Sequence, residues 1–177
     1  MNKPITFHKD RVFRETTGVH FSDVWVKNQN GLDLVVHHGF AVSPPNQPGT
    51  GEKTFYIHQH QTDNNRCISG RRVFELVATG DQMQYQHYVI LLDDGIGALE
   101  ILPGVYHRSV SCESGSILLN HAVRDAEYNE LKEFNPTPAT QDEALRTILQ
   151  RNKPVYVNFT KEQRLHYLET GKVPMFN

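Results

Sequence analysis

The sequence predicts an all-β protein, an antiparallel sandwich or barrel, with helices confined to a short C-terminal extension. Two observations carry this reading. From about residue 20 to residue 123, apolar and polar residues alternate with period 2 between frequent turn residues, with no helical pattern between them. After Asp125 the pattern changes to helical spacing with capping signals.

Taken in order, the predicted strands are Asp23–Lys27, Leu32–His37, Thr54–His60, Arg66–Ser69, Val73–Val77, Tyr85–Leu92, Leu99–Leu102, Tyr106–Val110 and Ser116–Val123. Asn30-Gly31, Pro44-Pro45, Ser69-Gly70, Asp93-Asp94-Gly95, Pro103-Gly104 and Ser114-Gly115 supply turn chemistry between them. Ala126–Phe134 reads as a short helix that Asn135-Pro136-Thr137-Pro138 ends. Thr140 and Glu143 form a capping-box pattern for a helix to about Arg151, with Ala144, Leu145, Ile148 and Leu149 as its apolar stripe. Thr160 and Gln163 repeat that signature before a last helix stopping at Gly171. Residues 1–125 are therefore expected to form the β domain, and 126–177 a helical extension packed on it as lid or brace.

Composition narrows the function classes. With 177 residues, Lys+Arg 18 against Asp+Glu 20 and a net charge of −2, the chain has no basic footprint for nucleic acid. No apolar run approaches a membrane span, and the polar start Met1-Asn2-Lys3-Pro4 does not read as a signal peptide. Two cysteines, Cys67 and Cys112, make no disulfide framework and suit a reducing cytoplasm. Ten histidines stand out, because imidazole both titrates near neutrality and binds metals.

On a strand through Thr54-Phe-Tyr-Ile-His-Gln-His60, Thr54, Tyr56, His58 and His60 share one face, as a cavity wall would. Phe55 and Ile57 on the reverse need cover, from an N-terminal strand or a partner subunit. A Pro103-Gly104 turn places His107 at the start of a returning strand. Glu75 and Glu100 alternate with apolar residues and are expected to face solvent, and Cys67 to be a small packed residue.

The spacing Gly51…His58-x-His60…Gly70 resembles the first motif of the cupin superfamily, and Gly97…Pro103-Gly104…His107 resembles the second. This resemblance implies a cupin jelly-roll barrel inside which His58, His60 and His107 converge. Metal-binding cupins carry a glutamate three or four residues beyond the second histidine, where this chain has the neutral amides Asn64 and Asn65. Asp63 stands one residue early and, on a strand, turns to the other face.

Leu99-Glu-Ile-Leu-Pro-Gly-Val-Tyr-His107, Ser114-Gly-Ser-Ile-Leu-Leu and Asp125-Ala-Glu-Tyr-Asn-Glu-Leu-Lys-Glu-Phe134 resemble more closely the RmlC-like nucleotide-sugar 3,4-ketoisomerases. That likeness covers roughly residues 51–134. It implies a metal-free isomerase of carbohydrate biosynthesis acting on dTDP-4-keto-6-deoxyhexoses, with the HxH pair as catalytic centre, and a homodimer that exchanges N-terminal strands. The chain departs from that family at Gln61, where lysine is usual, at Tyr106, where tryptophan is usual, and throughout the extension from Asn135.

For a 4-keto sugar, His58 or His60 would remove the acidified proton, with Tyr56, Tyr106 or His107 as donor or oxyanion partner, and where the proton returns separates a ketoisomerase from an epimerase, both of which stay open. Arg66, Arg71, Arg72 and Arg108 are candidates for the diphosphate, Arg66 foremost because it follows the HxH strand. The expected cofactor is none. Two further readings stay open: a metal cupin holding Fe or Zn on His58, His60 and His107, such as a dioxygenase or metal-dependent isomerase, and a non-catalytic sugar-binding or scaffold cupin.

Overall fold

A computed structural model describes residues 11–23, 30–79 and 86–176. Arg11–Thr16 (β1) and Val19–Asp23 (β2) form an antiparallel hairpin, and β2 pairs with Leu32–His37 (β3). Val42–Ser43 (β4) and Thr54–Ile57 (β5) are short, whereas Gln61–Ala78 (β6) runs for 18 residues. Gln86–Asp93 (β7) and Ala98–Ile101 (β8) lead to the second long strand, Val105–His121 (β9), and the two-residue Val123–Arg124 (β10). The C-terminal part holds Glu130–Glu133 (α1), Thr137–Pro138 (β11), Glu143–Arg151 (α2), Val155–Val157 (β12) and Lys161–Thr170 (α3).

The sheet runs β1-β2-β3-β9-β6-β7-β12, with the remaining strands paired to β5, β6 or β9. Its spine is the antiparallel β6–β9 pair, and each of these strands changes its other neighbour along its length. The predicted strand pairs 66–69/73–77 and 106–110/116–123 are therefore single strands, β6 and β9, joined through the expected turns. The turn residues mark where these strands bend. Register shifts fall between Cys67 and Ser69 and between Gly70 and Arg72. Gly70 and Gly115 have φ of 76° and 83°, and a Cβ would lie 2.3 Å from the Gly115 carbonyl oxygen or 2.2 Å from that of His37. Only glycine meets both demands.

Sequence reasoning missed β1, most of β2, the two-residue β4 and β11, and β12. Of the predicted strand Asp23–Lys27 only Asp23 is described, and it ends β2; residues 24–27 lie outside the described residues. β12 pairs with β7 in parallel, through Val155, Tyr156 and Val157. Three residues flanked by Pro154 and Asn158 give too short a pattern to read.

Alternate residues of the strands point inward, and Val19, Phe21, Val35, Phe74, Leu76, Ile90, Leu92 and Leu118 form the interior core. β7 is apolar on both faces because its other side is also covered. Val89 and Leu91 pack outward with Val73, Cys112 and Val173, against Tyr156, Phe159 and Tyr167 of the C-terminal part. Leu145 and Ile148 of α2 pack on Phe55, Val77 and Tyr106, each burial worth roughly 1.5–3 kcal/mol. So α2, rather than an N-terminal strand or a partner subunit, covers Phe55.

The helix starts are set by different residues than expected in two cases. Asp142, not Thr140, caps α2: its carboxylate accepts from the Leu145 amide at 2.8 Å, while the Thr140 amide donates to Glu52. The segment predicted as a helix over 126–134 is helical only from Glu130, behind the Asn129 cap. The Thr160–Gln163 capping box and the Gly171 stop of α3 are as the sequence predicts.

Candidate metal centre inside the barrel

β5 ends at Ile57, and His58 to His60 leave the strand before β6 begins at Gln61. Strand alternation therefore stops at His58 and restarts at Gln61. From there Gln61, Asp63 and Asn65 are buried on one face. Asp63 thus faces His58 across the interior, and the expectation that it turns away is corrected: counting by twos holds only within an unbroken strand.

His58 Nε2 and His107 Nε2 each lie 3.6 Å from Asp63 Oδ2, and all three residues are buried. The two imidazole rings are 4.7 Å apart between centroids. Each group is held from behind. His107 Nδ1 is 3.1 Å from its acceptor, the Val105 carbonyl, a contact that selects the tautomer with Nε2 as the lone-pair nitrogen and aims it at the centre. His58 Nδ1 faces Glu133 Oε2 at 3.4 Å, and that carboxylate also accepts from the Gln59 amide at 2.8 Å. Asp63 Oδ1 accepts from Gln61 Nε2 at 2.6 Å and Asn120 Nδ2 at 2.9 Å, leaving Oδ2 for the histidines. Gln61 Oε1 accepts in turn from Arg124, whose guanidinium forks onto Asp33 at 3.1 and 3.0 Å.

Burial pulls the His58 imidazole down to about 4, with Asp63 opposing, so it is neutral at pH 7. A buried neutral imidazole with its free nitrogen on a carboxylate suits a metal ligand. Ligand atoms of the three residues all lie within 4.8 Å of one another. Bonds of about 2.0–2.2 Å to one ion would need only a small contraction of this set. Two histidines and one carboxylate, with other directions free, match a divalent transition ion such as iron, manganese or zinc. The donor set fits.

The centre opens on a cavity of about 50 Å³. Phe21, Tyr56 and Phe134 wall one part of it, and Asn65, Arg72, Ser43 and Ser109 another. Phe134, just after α1, sets its ring 5.1 Å from His58 and 5.8 Å from Tyr56, closing this side.

No family model matches the sequence, and no curated protein matches it. Solved structures do. The capsular polysaccharide assembling protein CapF from Staphylococcus aureus aligns with a TM-score of 0.54 at 8% identity, over 74% of this chain and 32% of that one. A DEL162-163 mutant of the Bacillus subtilis oxalate decarboxylase OxdC aligns at 0.51 and 12% identity, over 97% and 38%. The Drosophila melanogaster CENP-C cupin domain aligns at 0.45 and 15%, over 64% and 74%. The fold is the cupin jelly roll. This chain spans about a third of the CapF and OxdC chains, and at such identities the likeness carries the fold alone.

Within this cupin barrel the sequence-predicted residues separate. His58, His107 and Tyr56 meet inside, with the Tyr56 ring 6.2 Å from His58 and 6.0 Å from His107. His60 does not join them. It lies outside, half-exposed, where Asp125 at 3.0 Å raises its pKa. Tyr106 alternates with His107 and points to the outer face, donating to Asp142 at 2.8 Å. Burial there and Asp142 push the phenol further up. Arg66 is exposed on the outward face of β6. Arg108 borders the cavity, but its guanidinium lies over the Phe55 ring and donates to Asn46.

Glu75 is not solvent-facing. It is buried with Lys53 at 2.9 Å and His87 at 3.0 Å, and these partners overcome burial to hold it down at about 2. Asp63, Glu133, Phe134, Asn120 and Arg72 were not singled out for the site by the sequence reading, although Arg72 was weighed as a phosphate contact. One sign was legible: the polar run Gln59-His-Gln-Thr-Asp-Asn-Asn65 is poor strand material and marks a break. No local pattern marks Glu133 and Phe134, which reach His58 only through the fold.

Proposed function

We propose that this protein is a metal-dependent cupin enzyme that binds one divalent transition ion on His58, Asp63 and His107 and acts on a small molecule in the closed interior. The observation that carries this is the convergence of two Nε2 atoms and one carboxylate oxygen, with His107 and Asp63 hydrogen-bonded on their far sides and His58 faced there by Glu133. Such far-side partners set tautomer and orientation at metal sites. When bound, the ion supplies Lewis-acid polarisation of a coordinated oxygen. The chain's own residues hold Asp63 in one rotamer, keep His58 neutral, turn Nε2 of both histidines toward the centre, and exclude water with Tyr56 and Phe134.

Proton transfer on a nucleotide-linked keto sugar fits this geometry less well. Of the two histidines expected as base, His60 lies outside, and burial keeps His58 a weak base. A cavity of about 50 Å³ is also far below the ~300 Å³ of sites for larger ligands.

Metal analysis after reconstitution tests the proposal. About one equivalent of Fe(II), Mn(II) or Zn(II) is expected per chain, retained through desalting and lost in Asp63→Asn and His107→Ala. Equal stoichiometry in those variants would overturn it.

A further inference from the structure

Among the described residues, the interior carries arginine charge that no carboxylate pairs. Arg72 is 2% exposed on the cavity wall. Its guanidinium donates to Ser116 Oγ at 3.0 Å and to the Ser116 and Val35 carbonyls at 3.3 and 3.5 Å, all uncharged acceptors. Arg14 of β1 lies over the Phe21 ring at 4.3 Å and the Tyr56 ring at 4.8 Å, two residues of the same wall. It donates to Ser43 at 3.1 Å, while its Nε and Nη1 are buried without a partner. His37, on the inward face of β3, is buried with neither ring nitrogen hydrogen-bonded. It lies within the fields of both arginines.

Among the described residues, neither Arg14 nor Arg72 forms an ion pair. The acidic groups of the wall are already committed: Asp33 to Arg124, and Asp63 to the two histidines. A guanidinium buried and unpaired is unfavourable, and unspent donors add to this. Arg72 on the wall, and Arg14 against three wall residues (Phe21, Tyr56 and Ser43), together suit an anion. Guanidinium matches carboxylate in geometry, through two parallel N–H···O bonds. The volume restricts the guest further, since about 50 Å³ holds roughly three to four water-sized groups.

We infer that the cavity binds a small carboxylate, held at one end by Arg14 and Arg72 and reaching toward His58, Asp63 and His107 at the other. This deepens the metal-enzyme reading, on which only the second contact rests. It names the substrate class as a compact mono- or dicarboxylate rather than a sugar or a nucleotide.

The test uses the full chain loaded with Co(II), whose visible spectrum reports on its coordination, titrated with acetate, oxalate, inorganic phosphate and the neutral acetamide. Acetate or oxalate should change the spectrum saturably and acetamide should not. Arg14→Gln should weaken carboxylate binding about tenfold or more while Co(II) stoichiometry stays unchanged. Arg14 is the variant of choice because Arg72 is fully enclosed and its hydrogen bonds tie Ser116 and Val35 together in the barrel interior. If Co(II) binds but carboxylates act no better than acetamide, or phosphate alone acts, the inference is overturned and the metal reading stands. If Co(II) does not bind, the metal reading fails and the metal-free protein decides. A carboxylate-specific rise in Tm that Arg14→Gln removes then upholds the anion site, and its absence overturns it.

Discussion

Two residues from His58, His60 makes a useful contrast with the groups behind the centre. His60 is hydrogen-bonded to Asp125 at the surface, so His60→Ala is expected to leave metal affinity within about twofold of the parent. Gln61 and Glu133 touch Asp63 and His58 from behind. Losing such an orienting partner typically costs about 10–100-fold in affinity, and Gln61→Ala and Glu133→Gln should each fall in that range by competition with a chelator of known strength. A large loss in His60→Ala, with none in the other two, would contradict this arrangement. The same residues show what parity can and cannot tell. Tyr56, His58 and His107 were legible as cavity residues from alternation and from the cupin-like spacing. Asp63 was not, because the chain leaves the strand between Ile57 and Gln61 and the count restarts.

Among the elements, the two long strands depend on glycine at their bends. Gly115→Ala forces a side chain into φ of 83° and against the His37 carbonyl oxygen at 2.2 Å. We expect a loss of roughly 2 kcal/mol or more, read from denaturant midpoints at unchanged slope. Besides the packing of Leu145 and Ile148, one residue at its start ties helix α2 to the barrel. Asp142 caps it with Oδ1 and accepts from Tyr106 with Oδ2. Asp142→Ala should cost about 1–3 kcal/mol, the sum of a lost cap and a lost hydrogen bond. Tyr106→Phe, which leaves the cap intact, should cost less; an equal cost would show that the cap contributes nothing. The sequence displayed α2 and its stripe but named Thr140 as its cap. Thr140 and Asp142 are both good cap residues, and the tertiary contact with Tyr106 selects the second.

At the level of the whole molecule, two buried histidines govern the response to acid. Burial holds His58 at about 4 and His37 at about 2, both below the ordinary 6.5 of the unfolded chain. Between those values the unfolded chain binds more protons, so stability is full above about pH 6.5 and falls as pH drops toward 4. Asp33, raised by burial and by Asp23, opposes with one group against two. The metal-free protein should therefore lose on the order of a few kcal/mol between pH 7 and pH 4.5. His37→Gln should flatten that slope, as followed by midpoint against pH. An unchanged slope would show that His37 is not held neutral by the fold.

By itself the sequence determined the β class, the positions of most strands, the two bends, the C-terminal helices and the candidacy of His58 and His107. These follow from local rules: alternation, turn residues, caps and short-range spacing. Only the tertiary structure decided which polar groups meet. It turned His60, Tyr106 and Arg66 outward, and brought Asp63 and Glu133 onto His58. It also set Arg72 on the cavity wall and Arg14 against the wall's rings, with no acidic partner among the described residues. The physical reason is that a buried polar group must find partners in space. Those partners come from strands and loops far apart in the chain, joined by bends whose angles no local pattern records.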